Sequence, residues 1–285
     1  MQAFDVKKLP TPPLLLGEGT IWHPKRKALY FVDIDGKHMY GYREDEGLFF
    51  TLQMPKHTGF IVPWGDDLLA GVQDTLYHVD LDNATLSPIA HFDFADYLRF
   101  NDGKCDEEGR LWAGVMCYKR EGLDCAALGA FYGIKNDRII YTAAPMDIPN
   151  GMAWADASTF YHTDTPTGCI HAYDLDSNGI PTNRRTAIRI PSHMGSPDGF
   201  CIDTEGMLWV ALWGGSCIRR FDPIRGMALD ECIQLPETDV SCCCFGGDDM
   251  STLYITTAAS GGRAGGLYSC ETPYRGTLPN NYQAE

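Results

Sequence analysis

Long apolar runs are missing from this chain of 285 residues. No window approaches the ~18 apolar residues of a membrane-spanning helix. The apolar run near the N-terminus, Leu14–Leu16, falls short of the ~7 residues of a signal-peptide core, so no leader is expected. Basic residues are in deficit: Lys and Arg total 23 against 38 Asp and Glu, a net charge of −15. That balance excludes a nucleic-acid surface and an anionic membrane face, and it suits either cation binding or plain solubility. Paired CxxC spacing is absent, and the cysteine count, 11, is odd. A disulfide framework is therefore not expected; eleven reduced thiols and a cytoplasmic location are. The GxSxG motif of a nucleophile elbow is missing, as is any Ser-His-Asp grammar. Long amphipathic helical patterns are lacking too.

What the chain does contain is repetition. Six short apolar runs share one pattern, with Leu29, Leu68, Leu111, Phe160, Leu208 and Leu253 as their second residues. Each is followed, after a turn, by another strand-like segment such as "TLYHVDLD" or "CIHAYDLD". A period of ~40–50 residues with several strands per unit is the signature of a β-propeller. The expectation is an all-β, six-bladed β-propeller, one domain over residues 1–285. The segment Phe4–Leu16 has no repeat of its own. It is expected to add a strand to the last blade and close the ring, removing an exposed edge.

A second regularity precedes the runs. Glu18-Gly19, Thr58-Gly59, Asp102-Gly103, Asn150-Gly151 and Asp198-Gly199 each stand eight to ten residues ahead of the run's second residue. In the sixth unit that spacing falls on Cys243-Cys244. Asn-Gly and Asp-Gly are favoured turns taken singly. In a propeller, however, equivalent positions of the innermost strands converge on the central axis. Glu18, Asn150 and Asp198, with Asn101 or Asp102 beside them, then form a ring of oxygen donors. Two carboxylates and a carboxamide make a central metal site for a hard cation, Ca²⁺, Mg²⁺ or Mn²⁺, with Zn²⁺ left open.

Other residues read as structural. Cys242, Cys243 and Cys244 alternate faces on one strand, so they cannot share an ion. His162 lies mid-strand; Trp22, Trp112, Trp154, Trp209 and Trp213 recur near the repeats and read first as inter-blade core, second as pocket wall. "DLDN", Asp80 to Asn83, lacks the spacing of a calcium loop and reads as a turn.

The blocks "LLLGEGTIWHPKRKALYFVDI", "RFNDGKCDEEGRLWAGVM", "IPNGMAWADASTFYHTDT", "SPDGFCIDTEGMLWVALWGG" and "SCCCFGGDDMSTLYITTA" resemble, in order and spacing, the regucalcin/gluconolactonase (senescence marker protein) family. The resemblance implies a metal-dependent lactonase that opens a sugar lactone to the sugar acid. It implies Glu18, Asn150 and Asp198 as metal ligands, Asp198 also as general base, and Arg99 and Asn101 as contacts to substrate hydroxyls. Arg99 alternatively pairs with Asp96 or Asp102. The chain departs from the pattern after Gly114–Met116: animal members continue "AEE", whose second Glu contacts substrate, whereas here Lys119 stands in that place and Glu121 follows two residues on. Both are candidate substrate contacts, and the sugar preference does not carry over. A phosphotriester or aryl-ester hydrolase of related propeller type and a non-enzymatic calcium-binding regulatory propeller are the competing readings. The expected partner is a small sugar lactone, on a monomer or small homo-oligomer.

Overall fold

The computed structural model describes residues 4–119, 122 and 124–284. It holds six four-stranded antiparallel sheets and, among the described residues, no helix beyond two short 3-10 turns. In five blades the strands follow chain order from the innermost outward. The innermost strands are Gly17–His23, Thr58–Trp64, Leu98–Cys105, Pro149–Asp156, Ser196–Ile202 and Val240–Gly246. The sixth blade has only three consecutive strands; Val6–Lys8 supplies its fourth, in the register Val6 to Cys270 and Lys8 to Tyr268. The two ends of the chain thus lock the ring together, as expected from a segment without a repeat. No helix of the described residues is long and apolar enough to cross a membrane.

Each innermost strand loses register with its neighbour at the ring level, and Pro149–Asp156 does so a second time between Trp154 and Asp156. The shift lies between Glu18 and Ile21, Thr58 and Phe60, Phe100 and Gly103, Asn150 and Met152, Pro197 and Phe200, and Val240 and Cys242. A bulge re-aims the side chain it carries, and here it does so at the same level of all six blades. The glycine there has a second role, close approach. A Cβ on Gly59 would overlap the carbonyl oxygens of Phe100 and Asn101 in the next blade. Gly59→Ala is expected to cost about 1–3 kcal/mol, as overpacking against backbone does. Thermal denaturation checks this; an unchanged midpoint contradicts the packing.

The sixth blade corrects the sequence register. Cys243 and Cys244 do not occupy the ring position. Cys242 does: a Cβ on Gly199 would meet its Sγ at 2.8 Å, and it accepts the Thr20 hydroxyl at 3.3 Å. The turn from Gly247 to Ser251 makes this hairpin longer than counting from Leu253 allowed. Cys243 faces the fifth blade, with its thiol on the Trp209 carbonyl at 3.2 Å. None of the three is disulfide-bonded.

Trp112 and Trp209 are buried between sheets, and each indole donates to an aspartate, Asp106 at 2.8 Å and Asp203 at 2.9 Å. Those carboxylates also accept backbone N–H groups of their turns and pair with Arg110 and Arg220. The repeated "DEEGRLW" and "DTEGMLW" therefore fasten a turn, a core aromatic and a buried cation with one carboxylate.

The expectation of eleven free thiols is overturned. Cys117 and Cys125 form a disulfide, their Cα atoms 5.6 Å apart. Cys117 ends the second strand of the third blade, and the chain turns back to it eight residues later, a spacing outside CxxC grammar. Thiol titration under denaturing, non-reducing conditions is expected to find the nine free cysteines and, after reduction, all 11. Eleven without reductant contradicts the bridge.

Candidate active site at the propeller axis

Glu18, Asp102, Asn150 and Asp198 are all buried, at 4–7% exposure. They belong to four different blades. The Glu18 Oε2 accepts the Gly19 N–H at 3.0 Å, and the Asp102 Oδ1 accepts the Gly103 N–H at 2.8 Å. The Asn150 Oδ1 accepts the Gly151 N–H at 3.3 Å. The polar residue and the following glycine thus form one unit: the side chain bends back onto its own bulge. Asn150 Nδ2 donates across to Asp198 Oδ1, and lies 3.4 Å from the Thr165 hydroxyl.

Burying three carboxylates together is electrostatically costly. Glu18 is pushed up to about 8, by burial first and the Asp102 charge second. Asp198 is raised well above the usual range by burial, Glu18 and Asp102. Burial also raises Asp102, against the pull of Lys104. The Arg99 guanidinium partly relieves Glu18. Asp102 Oδ2 is buried without a hydrogen-bond partner. Among the described residues no three or more His, Cys, Asp and Glu side chains form a ready-made metal cluster; the axial set includes the Asn150 amide. An all-oxygen donor set, an orphaned carboxylate oxygen and mutually repelling acids nevertheless fit a divalent cation.

Arg99 and Asn101 adjoin this group. Arg99 Nη1 donates to Asn101 Oδ1 at 2.8 Å and to the Phe100 carbonyl at 2.8 Å, while Asn101 Nδ2 donates to the Pro149 carbonyl at 3.0 Å. Lys119 points elsewhere: its ammonium is 3.0 Å from Asp96, and the side chain is half exposed. It takes the partner considered for Arg99 and does not reach the axis. Glu121 lies outside the described residues.

Sequence reasoning missed Lys104, whose Nζ bonds the Phe200 carbonyl at 2.5 Å and ties the third blade to the fifth. It also missed His57, Gln73 and Tyr118 near Arg99. His57 directly precedes the Thr58-Gly59 pair, a signal that was available. His162 is core, as expected. It packs on Phe131 at 4.1 Å, its Nε2 has no hydrogen bond, and burial pushes it down to about 3, so it stays neutral.

A cavity of about 250 Å³ occupies the opposite end of the channel, lined by Trp22, Lys104, Trp154, Cys201 and Cys244. It contains none of the axial carboxylates. The C-terminal segment lines one side of it, running from the sixth blade past Thr204 to Cys105 and Pro63.

Comparison with known proteins agrees with this architecture. Residues 16–259 match the family described as SMP-30/Gluconolactonase/LRE-like region. Regucalcin of Danio rerio is 33% identical over 252 residues, covering 86% of this chain and 84% of that protein. The 6-deoxy-6-sulfogluconolactonase of Pseudomonas putida is 31% identical over 252 residues, with the same 86% and 84% coverage. In fold, the chain superposes on a structure described as a calcium-binding protein, regucalcin, from Agrobacterium tumefaciens, with a TM-score of 0.90, 24% identity and 98% of both chains covered. With the family matched over most of its length and relatives above 30% identity spanning it, the chain belongs to the SMP-30/gluconolactonase family of six-bladed propellers.

Proposed function

We propose that the protein is a metal-dependent lactonase that hydrolyses a sugar lactone to its sugar acid at the propeller axis. The observation that carries this is the convergence of Glu18, Asp102, Asn150 and Asp198 from four blades into one buried acidic group. Relatives named as lactonases support the substrate class. Glu18, Asn150 and Asp198 would hold the cation, and the oxygen donors favour Ca²⁺, Mg²⁺ or Mn²⁺. When bound, the cation supplies Lewis-acid polarisation of the lactone carbonyl.

The chain's own groups do the rest. Asp198 has two oxygens, and one of them accepts the Asn150 amide. A carboxylate oxygen of Asp198 takes a proton from the attacking water. The same proton then passes to the ring oxygen as the acyl–oxygen bond breaks, which yields the hydroxy acid and restores the carboxylate. Arg99 and Asn101, locked together by their own hydrogen bond, bind substrate hydroxyls and fix the lactone carbonyl over the axis.

The test is a panel of aldonolactones against Ca²⁺, Mg²⁺, Mn²⁺ and Zn²⁺, followed by acid release. Turnover that needs a divalent cation supports the proposal. Metal binding without turnover on any lactone overturns it in favour of a calcium-binding propeller.

The buried acids also set a pH dependence. Without a cation, folded Glu18 keeps its proton up to about pH 8, whereas an ordinary glutamate releases it near 4.5. Between those values the folded state binds more protons than the unfolded one, so stability falls as pH rises. The slope is up to about 1.4 kcal/mol per pH unit for one such group. A divalent cation is expected to stabilise the fold more at pH 8 than at pH 5. Thermal melts with and without Mn²⁺ check this; a metal-free midpoint flat across the window contradicts it.

A further inference from the structure

Resting on the lactonase reading, we propose that His57 and Tyr118 form a hydroxyl-reading subsite for polyhydroxylated lactones, at the mouth between the second and third blades. His57 sits one residue before the ring position Thr58, at the outer end of the innermost strand. Its ring lies against Tyr118, with centroids 4.9 Å apart and planes at 53°. The Arg99 charge is close enough to act on it. Gln73 bridges the His57 carbonyl to Leu98 and Phe100, the residues on either side of Arg99, so His57 borders the group that carries Arg99 and Asn101.

The subsite is held rigidly from behind. Gln73 is buried and has a left-handed backbone, φ 55°. Its N–H donates to the His57 carbonyl at 2.8 Å, and its carbonyl accepts the Phe100 N–H at 2.7 Å. Its amide donates to the Leu98 carbonyl at 3.0 Å and to the Tyr118 hydroxyl at 2.9 Å. One glutamine thus ties the His57 backbone and the Tyr118 hydroxyl to the strand that bears Arg99, and that hydroxyl in turn donates to the Asp96 carbonyl at 3.3 Å. The His57 ring lies 3.8 Å from Asp35, and the Gln73 side chain also acts on it. Burial and Arg99 lower its proton affinity, so the imidazole is neutral near pH 7. A neutral imidazole both donates and accepts, and so does a hydroxyl group. Lys119 pairs with Asp96, and its ammonium also stands 5.7 Å from the centre of the Tyr118 ring, at the rim of this wall. The ligand class is an uncharged lactone bearing hydroxyls, with its C–H face against the Tyr118 ring.

The experiment compares D-glucono-1,5-lactone with δ-valerolactone, which has the same ring and no hydroxyls. For His57→Phe the gluconolactone KM is expected to rise about tenfold, the value of one well-placed hydrogen bond, with kcat little changed. The valerolactone kinetics are expected to stay at wild type. His57→Asn, which donates and accepts, is expected to recover most of the gluconolactone KM. A merely structural role would move both substrates together and lower the thermal midpoint, and that result overturns the subsite. An unchanged gluconolactone KM in His57→Phe overturns it as well. Wild-type protein that turns over neither lactone with any divalent cation overturns the lactonase reading itself, and the subsite falls with it.

Discussion

Asp198→Asn is expected to lower kcat/KM for an aldonolactone by about 10²–10⁴-fold, the contribution of a general base. The substitution keeps the volume of a side chain that is only 4% exposed. It removes the group that takes the water proton. It also removes one of the charges that burial and Glu18 already disfavour, so the metal-free fold is expected to gain stability at pH 8. Loss of turnover together with a raised metal-free melting temperature is the signature of a strained functional carboxylate. Lys119→Ala is expected to change kcat/KM by no more than about twofold, because its ion pair with Asp96 is exposed and weak. Steady-state kinetics on the two variants separate the axis from the rim. Retained turnover in Asp198→Asn removes the base assigned here.

Much of the architecture is legible before any coordinates. The spacing of Leu29, Leu68, Leu111, Phe160, Leu208 and Leu253 gives six blades, and the unrepeated Phe4–Leu16 gives the closing strand. Periodicity is a local signal, and each blade repeats it. The residue-glycine pairs are legible too, since close approach recurs at Gly59, Gly103, Gly151 and Gly199 and Gly19 takes a left-handed backbone, φ 56°. The bulges are not, because an extra residue in a strand leaves no mark on composition; nor is the length of the Gly247–Ser251 turn, which is why Cys243-Cys244 stands in the count where Cys242 stands in space. Asp106 and Asp203 look like turn residues and are also buried partners of Trp112 and Trp209. Their second role depends on how the turn folds back over the core. Lys119 stands at a substrate-contact place by family resemblance only, and its ammonium pairs with Asp96, 23 residues away in sequence. The Cys117–Cys125 bridge likewise depends on a loop returning to its own strand.

Asn150→Ala is expected to raise the dissociation constant of the divalent cation by at least about tenfold, the value of one lost charge-assisted contact. Asn150 sits between Pro149, which stiffens the chain, and Gly151, where a Cβ would overlap the Phe200 ring and meet the Asp198 carbonyl at 2.5 Å. That setting aims the carboxamide at Asp198 rather than at solvent. Truncation removes little volume, and the Gly151 N–H loses only a long 3.3 Å bond. The metal-free melting temperature is therefore expected to change little. A residue serving only the turn gives the reverse pattern, with intact metal affinity and a lower metal-free midpoint. Calorimetric titration of Mn²⁺ into wild type and Asn150→Ala decides whether oxygen donors from several blades hold a cation. A one-to-one isotherm is expected in wild type and an affinity at least about tenfold weaker in the variant; identical isotherms, or no binding to wild type, rule out the axial site.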